Sequence, residues 1–501
     1  MWMKDTRMAQ RTPPVTDLFE ALEPRLMLSA TVSFLDAAGG EAVAKLSGNG
    51  EIIVLDDEAG VRLRLIGTDR GSSLTINGDG RVLLDGIEIT GAMKAINGKA
   101  TDLAGDVTIA GTVDKLTLGD FIAGAQKSIT IGGTNAASDI TLKLGRLVDV
   151  DITSGSPIKS LSVEDWDDTA TDDRITAPLL SKVSSKADFA AGARLADEAN
   201  AKELQSSLSV KGELSGTWHI DNGAGKVSAG SVSDTFSMNI IGTIKSLSTK
   251  GDFEGDLAAT SIDKFQVNGS VRNAHILAGA DMGADGVLGG IGANTDLFFQ
   301  GEMKKASVKG GVFDSVIAVG LDPIDGVFAD GDDVVTGKHR SEMGSLTIRG
   351  QADSLSLLAA GQFKNTVKVN GTKILPAGDP RFLLASSAPD NSAPVITASL
   401  LNIDSVQGGI PVTNDPVIVG RVTDLGRITK FRVGIDDDEL KDFENILKQI
   451  NANGTFELPR SMIEAVNDGP LTLGIHTVNF VAEDDEGNTT AVFPVRFILT
   501  A

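Results

Sequence analysis

From Thr31 to the end of the chain, apolar and polar residues alternate in short runs broken by Gly, Asn and Asp, and helical periodicity is nearly absent. The pattern predicts an all-β protein. The alternation also repeats, as Leu208-x-Val210-x-Gly212-x-Leu214, Phe265-x-Val267-x-Gly269-x-Val271, Ala306-x-Val308-x-Gly310-x-Val312 and Leu346-x-Ile348-x-Gly350. Each unit reads as a strand, a Gly that turns the corner at positive φ, and a second strand. A shared template precedes the anchors: Val113-Asp114-Lys115-Leu116, Ile158-Lys159-Ser160-Leu161, Ile244-Lys245-Ser246-Leu247, Ile262-Asp263-Lys264-Phe265 and Met303-Lys304-Lys305-Ala306.

Anchor positions 161, 183, 208, 227, 247 and 265 lie 18 to 25 residues apart. The steps from 265 to 306 and on to 346 are 41 and 40, read as two coils each. A repeat of about 20 residues that buries one strand face against the next copy predicts a parallel β-solenoid, or β-helix. The competing reading is an array of small β-sandwiches. One anchor per coil is too dense for a seven-stranded module, and Asn-Gly hairpin signals are few. Roughly 13–16 coils at a strand spacing of about 4.8 Å give a rod of about 60–75 Å.

The solenoid is expected over residues 31–384, opening with a module at about 31–76. Two stretches interrupt its pattern. Leu195–Gln205 is rich in helix formers and predicts a short helical insertion, while Glu164–Arg174, with five aspartates around Trp166, predicts a loop. A small, polar, Pro-punctuated linker follows at 385–394. Beyond it the strands are longer (417–422, 428–435, 454–458, 473–482 and 490–499), which suits an immunoglobulin-like β-sandwich over 395–501. Within it, Leu440, Phe443, Leu447 and Ile450 have helical spacing and predict a helix over 436–451.

Charge narrows the functional classes. The 501 residues carry 45 basic and 68 acidic side chains, a net charge of −23. That balance argues against nucleic-acid partners and anionic-membrane surfaces. Cysteine is absent, which excludes disulfides, thiolate metal sites and thiol nucleophiles. Tyr is absent and Trp numbers three, so aromatic platforms for sugar-processing clefts are scarce. The longest apolar stretch near the start, 26–35, is too short to cross a bilayer, so no transmembrane segment is expected.

Phe19-Glu20-Ala21-Leu22-Glu23-Pro24-Arg25-Leu26-Met27-Leu28-Ser29-Ala30 resembles the LEPR-XLL segment found near the start of many large surface or exported proteins of planctomycete bacteria. Leu22, Glu23, Pro24, Arg25, Leu26, Met27 and Leu28 carry the match, and Met27 stands where Leu is usual. The resemblance implies a targeting segment over 1–30 and an exported or cell-surface protein. The region from Ser33 to Ile76 resembles, more weakly, a module of related planctomycete proteins. Near the other end, Gly474-Ile475-His476-Thr477-Val478-Asn479-Phe480-Val481-Ala482 and the following Asp484, Gly487 and Asn488 resemble the G-x-H-T-V-x-F-x-A-x-D-x-x-G-N signature of bacterial Ig-like domains. That resemblance implies that Val478, Phe480 and Ala482 point inward.

Candidate chemistry is sparse. His219, His275, His339 and His476 lie in separate units, and no HExxH, Walker or G-x-S-x-G pattern occurs. His476 suits a structural hydrogen-bonding role. Parallel β-helices host polysaccharide lyases and hydrolases, and Asp165–Asp173 could supply acids with Trp166 as a platform. No basic or aromatic cluster matches it at a coil-related offset, so a solvated acidic loop is the plainer reading, ligand or cation binding comes second and catalysis last, and no catalytic or cofactor-binding residue is assigned.

One chemical feature repeats. Asp281, Asp285 and Asp296 lie in one insertion and Asp322, Asp325, Asp330, Asp332 and Asp333 in another, with Asp281 and Asp322 41 residues apart. Carboxylates and glycines in flexible loops suit structural Ca²⁺, with plain Asp/Gly-rich turns as the alternative. The combined expectation is a non-enzymatic exported or cell-surface structural or adhesive rod. Its partners would be extracellular polysaccharide or other surface proteins. The rivals are a polysaccharide-active enzyme and a polymerising surface-layer component, the latter requiring an uncapped solenoid end.

Overall fold

The structure is a computed structural model that describes residues 29–501, apart from 58–59, 123, 135–139, 170–171, 196–205, 222, 331, 386–391, 425–427, 437–438, 440, 452–453 and 485. The LEPR-XLL match at 22–28, the body of the expected helical insertion and most of the linker lie outside the described residues. Leu195 itself closes the strand Gly192–Leu195.

About 14 coils stack into a parallel β-solenoid. Its register follows from the inward anchors. On the first face Leu74, Ile96, Leu116, Leu142, Leu161 and Val183 oppose one another coil after coil. The row continues through Leu208, Val227, Leu247, Phe265, Ala306, Leu346 and Val367. The second face stacks Leu63, Ile87, Val107, Ile129, Ile152 and Ile175, then Ala193, Trp218, Met238, Leu257, Ile276, Ile317 and Leu358. A third face of shorter strands stacks Leu147, Trp166, Phe189, Leu214, Val232, Phe253, Val271 and Val312. All three rows point into one continuous core. A slip of one residue would turn a whole row outward, so the period-two pattern alone pins the register.

The long steps are corrected by this register. Phe265 opposes Ala306 directly, and Ala306 opposes Leu346. Each step of 41 or 40 residues is therefore one coil bearing an insertion. Sequence separation cannot distinguish an added coil from a loop that leaves and returns to the same corner.

The repeated glycines are also needed for a different reason from the one expected. Gly212, Gly269, Gly310 and Gly350 are absent from the positive-φ residues. They stand where successive coils come closest: a Cβ on Gly269 would lie 2.2 Å from Asp252 Oδ1 and 2.5 Å from the Gly251 carbonyl carbon. Gly230, Gly251, Gly269, Gly310 and Gly350 each donate their N–H to the carbonyl of the glycine one coil below, at 2.6–3.1 Å. Left-handed backbone occurs instead at another corner, at Asp149, Asn273 and Asp314, with φ of 52°, 45° and 46°. Asp and Asn tolerate that region best among side chains with a Cβ.

Aspartates tie the corners together. Asp102 Oδ1 accepts from the Asp120 amide at 2.8 Å, and Asp120 Oδ1 accepts from the Arg146 amide at 2.9 Å. Asp188 Oδ1 and Asp252 Oδ1 repeat the arrangement with Glu213 and Ser270, both at 2.7 Å. The first face ends on antiparallel strands, whereas the second face finishes on the parallel strand Phe382–Leu384. Ser29–Leu35 pairs with Glu41–Ser47 at the start, and Val367–Val369 pairs with Thr372–Ile374 at the finish.

A second β unit follows. One sheet joins Val395–Leu400, Ile418–Thr423 and Thr455–Leu458; the other joins Ser405–Gln407, Ile410–Thr413, Phe493–Leu499, Gly474–Asp484, Ile428–Ile435 and Glu444–Asn445. The two enclose a separate core in which Phe431, Phe456 and Phe480 meet at centroid distances of 4.8–5.7 Å. Val478, Phe480 and Ala482 are buried as expected.

Among the described residues of 436–451 the expected helix is absent. That stretch holds the strand Glu444–Asn445 and a 3₁₀ turn at Leu447–Gln449, while the α-helix lies at Arg460–Val466. Phe443 and Ile446 reach the core without a helix. Pro459 instead sits at the N-cap of the actual helix, where a missing N–H is harmless.

Replacing Phe480 with Ala should destabilise the C-terminal unit by about 3–5 kcal/mol. Chemical denaturation of residues 392–501 checks both that cost and the autonomy of the unit. A fragment without a cooperative transition would show that its folding depends on the rod.

Candidate functional site

The two insertions arise where the second face ends. Strands His275–Ala278 and Val316–Val319 are in register, and each leads through a positive-φ glycine (Gly279 or Gly320) into a two-residue antiparallel pair. Asp281 and Asp322 thus occupy equivalent places, each facing its own returning strand at Leu297 or Val334.

The insertions fold over the outside of the solenoid because the strands beneath them are apolar on both sides. Ala258, Leu277, Ala318 and Ala359 form an outward row, coil upon coil. Met282, Leu288 and Phe298 of the first insertion and Phe328 and Val335 of the second cover it. Phe298 and Phe328 meet edge to face at 5.9 Å, so the insertions also brace each other. Alanines in the covered row let the loop backbone approach closely.

The eight aspartates proposed as ligands separate into distinct groups. Asp281 is buried and accepts from Asn239 Nδ2 at 2.7 Å and from the Gly283 amide at 3.1 Å, fastening the loop to the coil below. Asp285 is exposed and accepts from the Val287 amide. Asp296 accepts from the Gly289 amide at 2.6 Å through Oδ2, while its Oδ1 is buried without a hydrogen-bond partner. Burial, with Asp285 and Asp281 nearby, pushes Asp296 up to about 6.

In the second insertion Asp322 accepts from the Ile324 amide and Asp333 from the Ala329 amide. Asp325, Asp330 and Asp332 converge, with one oxygen from each within 4.8 Å of the others. The hydrogen bond with Asp330 pushes Asp332 up to about 6. Three converging carboxylates carry the oxygen-donor chemistry a hard divalent cation uses.

A cleft of about 730 Å³ lies between these insertions and the C-terminal unit, lined by Asp296, Asp322, Asp325, Asp424 and Arg421. Burial lowers the Arg421 guanidinium from its ordinary value, against the pull of Asp281 and Asp322. An ion pair of 2.5 Å between Lys338 and Glu486 joins the same two parts of the chain.

The loop expected at Glu164–Arg174 is corrected. Asp165–Asp167 is a strand of the third face, and Trp166 is fully buried, packed on Phe189 at 5.0 Å. It cannot serve as an exposed platform. Trp166 Nε1 donates to Asp173 at 2.7 Å, and Gln126 donates to the same carboxyl at 2.8 Å. Asp149, Asp168 and Asp173 bring oxygens within 4.8 Å of one another beside this ring. Asp149 and Asp168 escaped the sequence reading as partners because they belong to different coils. The coil register is the signal that aligns them.

The histidines stay apart. His219 faces Asp221, His275 faces Asp256, and His476 is held between Asp436 and the Thr472 carbonyl at 2.8 and 2.7 Å. Comparison with protein-family models, curated proteins and solved structures returns no match.

The raised carboxyls set a pH dependence. Burial pushes Asp173 up to about 6 from the ordinary 3.8, as with Asp296. The folded chain then binds these protons more tightly than the unfolded chain. Their stabilisation is complete below about pH 4 and is lost as the pH rises through about 6. Asp379, held low by Arg381, acts oppositely, and its contribution is lost only in stronger acid. The melting temperature should therefore be higher at pH 5 than at pH 7, and Asp173→Asn should flatten that difference. Thermal melts at fixed ionic strength decide it.

Proposed function

We propose that the protein is a non-enzymatic exported or cell-surface rod that spaces and displays its insertions and an Ig-like C-terminal module. The observation that carries this reading is the continuity of the rod: one core runs through about 14 coils, while its two large acidic insertions sit side by side on one face. The LEPR-XLL resemblance supports export. Two packed sheets around Phe431, Phe456 and Phe480, with Ile410–Thr413 running parallel to Phe493–Leu499, support the Ig-like module.

Fractionation of the native host tests the address. The intact chain should be found in the envelope or medium, and deletion of Leu22–Leu28 should retain it in the cytoplasm. A full-length protein confined to the cytoplasm would defeat the proposal.

Structural Ca²⁺ belongs to the same proposal, held at Asp325, Asp330 and Asp332 and completed by backbone carbonyls of the loop. A cation there would offset the crowding of carboxylates in a chain of net charge −23. Millimolar Ca²⁺ should raise the melting temperature, Mg²⁺ should raise it less, and Asp325→Asn with Asp332→Asn should abolish the response. The effect should weaken below about pH 6, where Asp332 keeps its proton. A melt indifferent to both Ca²⁺ and EDTA would leave these loops as plain turns.

The cleft at Arg421 favours one second reading, a polysaccharide-active enzyme. Asp296 has the raised pKa a general acid needs, and Asp322 and Asp325 line the same space. Release of reducing ends or unsaturated products from polysaccharides, lost in Asp296→Asn, would establish it.

A further inference from the structure

The net charge of −23 conceals two outward rows on the first face of the rod, those flanking the inward anchors, that carry no carboxylates. Beside the inward anchors of the first face, the next outward position reads Thr75, Asn97, Thr117, Lys143, Ser162 and Ser184 in successive coils. It continues as Ser209, Ser228, Ser248, Gln266, Ser307 and Thr347. The row on the other side of the anchors holds Ala95, Lys115, Thr141 and Ser160, and later Lys182 opposite Ser207 and Lys226 opposite Ser246. Neither row contains an acidic residue, although the chain has 68.

At the N-terminal end this face is concave. A groove of about 1030 Å³ crosses the coils from Thr75 to Lys186. Its lining includes six cations and three carboxylates. The two arginines and Lys186 are engaged locally: Arg81 pairs with Asp102 and Asp120, Arg146 with Asp167 and Asp165, and Lys186 with Glu164, so these corners carry no positive excess of their own. Among the described residues Lys99, Lys115 and Lys143 lie in no ion pair, and these three lysines supply the positive charge of the groove.

We propose that this groove binds a linear anionic polysaccharide, laid along the rod axis. The proposal deepens the surface-rod reading, on which it rests, by naming the partner. Ammonium groups attract the polymer's carboxylates, and the hydroxyl and amide side chains of Thr75, Asn97, Thr117 and Ser162 suit its hydroxyls. Successive coils repeat these groups about every 4.8 Å, so an extended polymer meets the same chemistry at each step. Single-stranded nucleic acid fits less well, because no aromatic residue lines the groove on which bases could stack. A membrane surface fits less well too, since none of the strongly exposed apolar side chains lies in it.

The test uses the full chain in EDTA, so that the Ca²⁺ loops play no part. Binding to polygalacturonate is compared with binding to dextran, single-stranded DNA and phosphatidylserine vesicles by biolayer interferometry. Polygalacturonate should bind in a salt-dependent way and dextran should not. Lys115→Glu with Lys143→Glu should weaken binding at least 10-fold at an unchanged melting temperature, and Lys441→Glu on the C-terminal unit should leave it intact. Should the charge reversals perturb folding, Lys115→Gln with Lys143→Gln should still weaken binding several-fold. Equal binding by these variants, stronger binding to DNA or vesicles, or no binding to polygalacturonate would overturn the proposal. None of these outcomes touches the export reading, which fractionation decides separately.

Discussion

Coil-on-coil hydrogen bonding at the spacing of a β-sheet is the constraint from which the rest of this molecule follows. Each coil must return to the same three faces within about 20 residues and present its apolar side chains in line with those below. The glycine row from Gly212 to Gly350 shows how tight that requirement is, since at Gly212, Gly230, Gly269, Gly310 and Gly350 a single methyl group would collide with the neighbouring coil. Wherever the chain adds material, as after Gly279 and Gly320, it leaves and rejoins at a corner.

The same constraint sorts charge. Carboxylates are short enough to accept an amide from the next coil, so Asp102, Asp120, Asp188 and Asp252 serve at corners. Lysines are long and flexible, and they stand on the open first face. Total charge describes neither region: a balance of −23 gives no sign of Lys99, Lys115 and Lys143, which line one groove.

Much of the fold was legible because burial in a strand has a period of two. Anchors from Leu161 to Phe265 were aligned by motif alone, and their observed pairing is the same. What could not be read was the content of long gaps. The steps of 41 and 40 residues conceal loops, and acidic neighbours made the strand at Trp166 resemble a turn because corner aspartates flank it. Helical spacing at Leu440, Phe443 and Leu447 was outweighed by the sheet pairing of Glu444–Asn445 with the long central strand. In the candidate site, the equivalence of Asp281 and Asp322 was visible. The meeting of Asp325, Asp330 and Asp332 depends on loop closure, and that of Asp149 with Asp173 on register; neither has a local sequence signature.

The glycine row also bears on how the rod carries load. Its hydrogen bonds run along the axis, so tension between the two ends acts on them one coil at a time rather than on the whole ladder together. A coil that detaches gives up one strand spacing of rod, about 4.8 Å. It frees some 20 residues of chain, which extend to roughly 70 Å. Rigid when unloaded, the solenoid is in this sense a stored length of tether, let out in portions set by the repeat.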